Sequence, residues 1–192
     1  MDIDQSRVKA FETPEALGGW LALHHGQCTE IWVKIFKKHS GQRSVTWQDC
    51  VIEAIAWGWI DGIKKSLDAQ TYLQRLTPRK AGSGWSTRNC AHAEKLMASN
   101  RMQPAGQRVV ELAKASGSWD NAYSGQANMQ FPQDFLQALD DHPDSKTFFT
   151  GLTRANQFAI YHRLHTAKRP QTRADRMTKI LAMLARHEKF HG

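Results

Sequence analysis

The segment TWQDCVIEAIAWGWIDGIKK, residues 46–65, decides the fold, because its apolar period changes partway through. Trp47, Cys50, Val51, Ala54, Ile55 and Gly58 recur at offsets of three and four, the spacing of one helix face. Thr46 and Asp49 stand at the front as an approximate capping box. The pattern predicts an amphipathic helix ending at Gly58. From Trp59 to Lys65 the chain reads as extended, and a second extended run at Thr71–Thr77 follows after SLDAQ, so the two form a hairpin.

Toward the N-terminus, Thr13-Pro14-Glu15 is an N-cap followed by proline at the first helical position, and predicts a short helix ending near Gly26. Ile31–Phe36 is β-branched and aromatic and predicts a strand, with a loop over 37–43. The expectation is a small antiparallel three-stranded sheet packed with helices. Beyond Trp85 the pattern turns helical, over 86–99, 104–116, 132–140, 153–166 and from 170–172 onward. Residues 117–130 are irregular, with Trp119 and Tyr123 as aromatic anchors. Strands early and helices late indicate α+β, not a doubly wound sheet. The domain reading is an α+β core over 1–130 and a basic helical segment over 131–192 packed on it.

Three cysteines, Cys28, Cys50 and Cys90, lie far apart without a CxxC, which predicts reduced thiols and neither a disulfide framework nor a zinc site. The first twenty residues hold no apolar stretch of export-signal or membrane-span length, so a cytoplasmic protein is expected. Net charge is +8, and residues 154–191 carry nine Lys/Arg against Asp175 and Glu188. A basic excess so placed permits a nucleic acid partner, or is a solvated helix face.

Two stretches carry candidate chemistry. In TPRKAGSGWSTRN (77–89), Arg79 and Lys80 sit beside Ser83, Ser86 and Asn89 where a helix opens, a plausible cradle for an anion or an ordinary capped loop. The order of a Walker A loop is absent. In AKRPQTRADRMTK (167–179), Arg173 falls on the stripe of Met177, Ile180, Leu181 and Leu184, whereas Lys179 and Arg186 fall on the solvated face. An arginine on that stripe in a first helical turn calls for a carboxylate or an anionic ligand. Asp61, flanked by Trp59, Ile60 and Ile63, is the candidate carboxylate, though Asp61-Gly62 is also a turn signal. Trp57 and Trp59 fill core or offer a stacking wall. His162 and His165 share a helix face, but no third ligand has the right spacing, so no metal is expected.

GWIDG (58–62), TPRK with SGWS and Asn89 (77–89), RMQPAG (101–106) and AKRPQTRADR (167–176) together resemble the YdeI/OmpD-associated, bacteriocin-protection family. The resemblance implies a role in envelope stress or antimicrobial-peptide resistance and association with a porin; it implies no cofactor and no established reaction. Its polar motifs fall on Asp61, Arg79, Ser83, Trp85, Ser86, Asn89, Lys168, Thr172, Arg173 and Arg176. A set so polar implies a ligand pocket more than packing. The expectation is a small anionic ligand held by Arg79, Lys80, Arg173 and Arg176, with Asp61 as the candidate catalytic residue, either fixing the arginines or acting as general base. The rivals are a nucleic-acid-binding module on the basic C-terminal helices and an interaction protein of the envelope stress response.

Overall fold

The computed structural model describes residues 3–191; Met1 and Asp2, part of the N-terminal stretch read as lacking an export signal, and Gly192 lie outside them. The chain divides into two compact units, one running to Ser83 and resuming over Asn89–Asp120, the other comprising Gly84–Arg88 and the chain from Asn121 onward. The described residues are α+β, with eight α-helices and one sheet.

The first unit contains β1 (Val8–Ala10), α1 (Pro14–His24), β2 (Ile31–Phe36), α2 (Trp47–Ala56), β3 (Trp59–Ser66), β4 (Thr71–Pro78), most of α3 (Thr87–Ala98) and α4 (Pro104–Ala115). The sheet has four strands in the order β1-β2-β4-β3 and is mixed, which corrects the expected three antiparallel strands. β1 adds itself parallel to β2, pairing Val8 with Trp32 and Ala10 with Lys34. Three residues are too short to show a period of two, so the strand leaves no sequence pattern. The hairpin β3–β4 is as expected, and β2 joins the sheet antiparallel, as expected, with β4 as its neighbour.

Local chemistry explains the hairpin. Asp68 accepts hydrogen bonds from the backbone N–H groups of Gln70 and Thr71, each at 2.7 Å, and from the Thr71 hydroxyl. The carboxylate thus closes the turn. A bulge shifts the register between Asp61 and Lys64, and the buried amide of Gln74 donates to the Gly62 carbonyl at 3.0 Å, satisfying a group the ladder leaves out. At the junction of α2 and β3, Gly58 takes a left-handed φ of 74°. α4 then packs directly on the end of α2, because a Cβ on Gly106 would strike the Ala56 carbonyl oxygen. Leu17, Leu21, Ile31, Val33, Cys50, Ala54, Trp59 and Leu76 form the core between helices and sheet. Trp59 is therefore a core residue, and its indole N–H donates to the His25 carbonyl at 3.3 Å.

The second unit holds α5 (Gln133–Asp140), α6 (Pro143–Gly151), α7 (Arg154–His165) and α8 (Pro170–Ala185). α6 is absent from the sequence reading. It is short, is separated from α5 only by Asp141 and His142, and buries just Ser145 and Phe149, too few for a helical period to show. The core joins Phe135, Leu139 and Phe149 to Ile160, Leu164, Ile180, Met183 and Leu184, so the expected stripe of α8 turns to include Met183 while Met177 and Leu181 pack at its edge. The buried Asn156 is satisfied by Thr153 and by the backbone of His191. No helix among the described residues is long and apolar enough to cross a membrane.

Candidate functional site

The expected site residues divide between the two units. In the first, Asp61 is half-buried on β3 and accepts a hydrogen bond from the Trp47 indole at 3.1 Å. Arg79 is buried, and its backbone N–H donates to the Gly58 carbonyl at 3.0 Å. Lys80 and Ser83 close a tight turn on themselves. The Lys80 N–H donates to Ser83 Oγ at 3.2 Å while the Ser83 N–H returns to the Lys80 carbonyl at 2.9 Å. Asn89 lies half-buried in the first turn of α3.

In the second unit, Trp85 is buried and its carbonyl accepts from the Tyr123 N–H, while the Thr87 N–H donates to the Tyr123 carbonyl, so that Ser86 forms a bridge with Tyr123. Lys168 is exposed between α7 and α8, and Thr172 is half-buried in the first turn of α8. Arg173 does take a carboxylate partner, and it is Asp134 on α5, held in a two-pronged contact at 2.6 and 2.8 Å. The guanidinium holds the Asp134 carboxyl below its ordinary pKa, chiefly by hydrogen bonding. Arg176 donates to the Arg163 carbonyl at 2.7 Å and approaches the Thr166 hydroxyl at 3.4 Å.

Around Arg176 the second unit opens a cavity of about 500 Å³. Arg163 and Lys179 reach it beside Arg176, and Ile180 and Met183 supply an apolar floor. No carboxylate lines it among the described residues. Arg163 is held over the Phe190 ring with its guanidinium carbon 3.8 Å from the centroid, and donates to the Ala159 carbonyl at 3.1 Å. Lys179 has no ion-pair partner among the described residues. His162 reports the local field: burial first, then the charges of Arg163, His165 and Arg176, hold its pKa below the ordinary value.

Of these lining groups, sequence reasoning reached only Arg176 as a ligand residue. Lys179 falls on the face read as solvated, and it is exposed, yet that face borders the cavity. Thr172, Arg176 and Lys179 follow at offsets of four and three, a polar stripe beside the apolar one, and that spacing was the available signal. His162 and His165 have no third metal-ligating neighbour among the described residues. The thiols are poor nucleophiles where buried: desolvation pushes Cys50 up to about 12 and Cys90 up to about 11.

The fold and cavity define a two-unit α+β protein whose helical unit carries a basic, ligand-sized cavity. The chain belongs to the family of the domain of unknown function DUF8412, matched over residues 9–109, more than half its length, and residues 128–187 are a domain of the family described as bacteriocin-protection, YdeI or OmpD-associated. The motifs GWIDG, TPRK with SGWS, and RMQPAG therefore lie in the first match, and AKRPQTRADR in the second. Neither the curated proteins nor the solved structures contain a match to the chain.

Proposed function

We propose that the chain binds a small anionic ligand in the cavity of its helical unit, with Arg176 as the central cation. The observation that carries this reading is the convergence of Arg163, Arg176 and Lys179 on one cavity with no carboxylate among its described lining residues. Two of the three are held in place by backbone carbonyls, so little side-chain freedom has to be lost on binding. Thr172 stands one turn before Arg176 on α8 and Lys168 just ahead of that helix; both belong to the proposed ligand set. Arg173 serves instead to tie α8 to α5 through Asp134. The reading needs neither Asp61 nor the loop from Arg79 to Asn89. Protection against bacteriocins, as the description of the C-terminal family has it, is the setting proposed for this binding.

The test is a thermal-shift panel of inorganic phosphate, sugar phosphates, nucleotides and a short single-stranded oligonucleotide, each at low and moderate salt. A ligand at a hundred times its dissociation constant adds about 2.7 kcal/mol to the unit that binds it. Lys179→Ala removes a cation that supports no other described contact, so it should fold normally and weaken the response. A response confined to the oligonucleotide, and lost with added salt, would replace the cavity by a basic nucleic-acid surface. No response from any small anion would sink the proposal.

A further inference from the structure

The first unit contains a second cavity, of about 390 Å³, that none of the expected site residues enters. Its floor is Glu53 on α2, only 7% exposed. One carboxylate oxygen is taken by Arg101 Nη2. Among the described residues nothing donates to the other, which lies where a Cβ on Gly18 would stand 2.9 Å away. That oxygen is not sealed off, and the cavity on its side leaves room for a molecule that supplies a donor.

The surroundings restrict what that molecule is. Gly18, Gly19 and Ala22 present a face of α1 with almost no side chain, which makes the cavity wide there. Trp57 forms an aromatic wall and is itself held against His25, ring centroids 4.7 Å apart. Arg101 is placed by Asn100, which adopts a left-handed φ of 55° just after α3, so that the chain turns back and aims the guanidinium at Glu53. Arg101 is more than half exposed and uses only one of its terminal nitrogens on Glu53, which leaves donors facing outward.

Glu53 and Arg101 are the only charged residues among the described lining residues of this cavity. Their charges already cancel, so a ligand of either net sign would add an uncompensated charge beside the buried Glu53. A ligand carrying both signs would not. We propose that this cavity is a binding site for a small zwitterion, an α-amino acid, whose ammonium donates to the open oxygen of Glu53 and whose carboxylate pairs with the outward nitrogens of Arg101. The side chain of the ligand then lies between Trp57 and the bare face of α1. Burial pushes the Glu53 carboxyl above its ordinary pKa, against the opposing pull of Arg101.

The test is isothermal titration of the full chain with the standard L-amino acids, beside ethylamine and propionate as probes of each charge alone. At least one amino acid should bind, and each single-charge probe should bind at least about tenfold more weakly. Two variants separate recognition from folding. Glu53→Gln keeps the shape and should cost more than about tenfold in affinity, since breaking one partner of a buried charge pair is worth at least that. Gly19→Leu touches neither charge; a Cβ at that position meets nothing within 4 Å, so the side chain should be tolerated on the helix and should occlude the cavity. Failure of every amino acid to bind, undiminished binding by Gly19→Leu, or equal binding of ethylamine would each overturn the proposal. Because the residues belong to the first unit, none of these results bears on the anion cavity of the second.

Discussion

Consecutive glycines in one helix offer a comparison in which helix propensity cancels. Gly18 and Gly19 both lie inside α1, and replacing either by alanine should gain about 0.8–1 kcal/mol from propensity alone. At Gly19 nothing stands within 4 Å of the added methyl, so Gly19→Ala should keep that gain. At Gly18 the methyl would sit 2.9 Å from the Glu53 carboxylate, which must retreat by roughly half an ångström to reach ordinary contact. Glu53 is buried and tied to Arg101, so the retreat strains or breaks a charge-assisted hydrogen bond worth about 1.5–3 kcal/mol. Gly18→Ala should therefore be destabilising by roughly 0.5–2 kcal/mol, and the two variants should differ by about 1.5–3 kcal/mol. Urea unfolding followed by tryptophan fluorescence measures this, because Trp20, Trp57 and Trp59 all lie in the same unit. Repeating the pair in a Glu53→Ala background isolates the cause, since the difference should vanish there. Equal stabilisation by both alanines in the wild-type background would refute the packing of the carboxylate on α1.

The ion pair between Arg173 and Asp134 depends on pH with a definite sign. The Asp134 carboxyl is held below its ordinary value of 3.8, so the pair stabilises the folded state above that value and stops doing so as pH falls through the lowered one. Because both side chains are partly exposed, Asp134→Asn should cost no more than about 1 kcal/mol at neutral pH, and melting curves of variant and wild type should converge in strong acid. Thiol labelling gives a separate check. Cys50 and Cys90 are buried with pKa values of about 12 and about 11, so a disulfide reagent at pH 8 should modify Cys28 first and the other two only on unfolding. Rapid modification of all three in the native protein would contradict the burial of α2 and α3.

What the sequence disclosed follows from which forces are local. The capping box at Thr46 and Asp49 and the prolines that open α1, α4 and α8 act within one turn, and each helix begins where they stand. β1 escaped because its three residues owe their conformation to β2, far along the chain, and α6 because its short run buries too little to carry a period. The same division explains the candidate sites. Arg173 announced that it required a carboxylate by its place on the α8 stripe, but only packing could select Asp134, thirty-nine residues earlier, as the partner.

Glu53 shows the other limit. It sits three residues after Cys50 and directly before Ala54, inside the apolar face of α2, and its charge gives no hint of being buried unless the face is drawn residue by residue. Trp47, which the same pattern assigns to the core, is instead 38% exposed and donates to Asp61. The rest of the predicted face is kept, with Cys50, Val51, Ala54 and Ile55 all buried, so α2 is covered on more sides than its apolar period requires and takes an acid inward with it. Burying a carboxylate costs several kcal/mol unless a partner answers it, and no apolar period calls for one at that position. The acid inside is answered on one oxygen by Arg101, and the ammonium of the proposed ligand would answer the other.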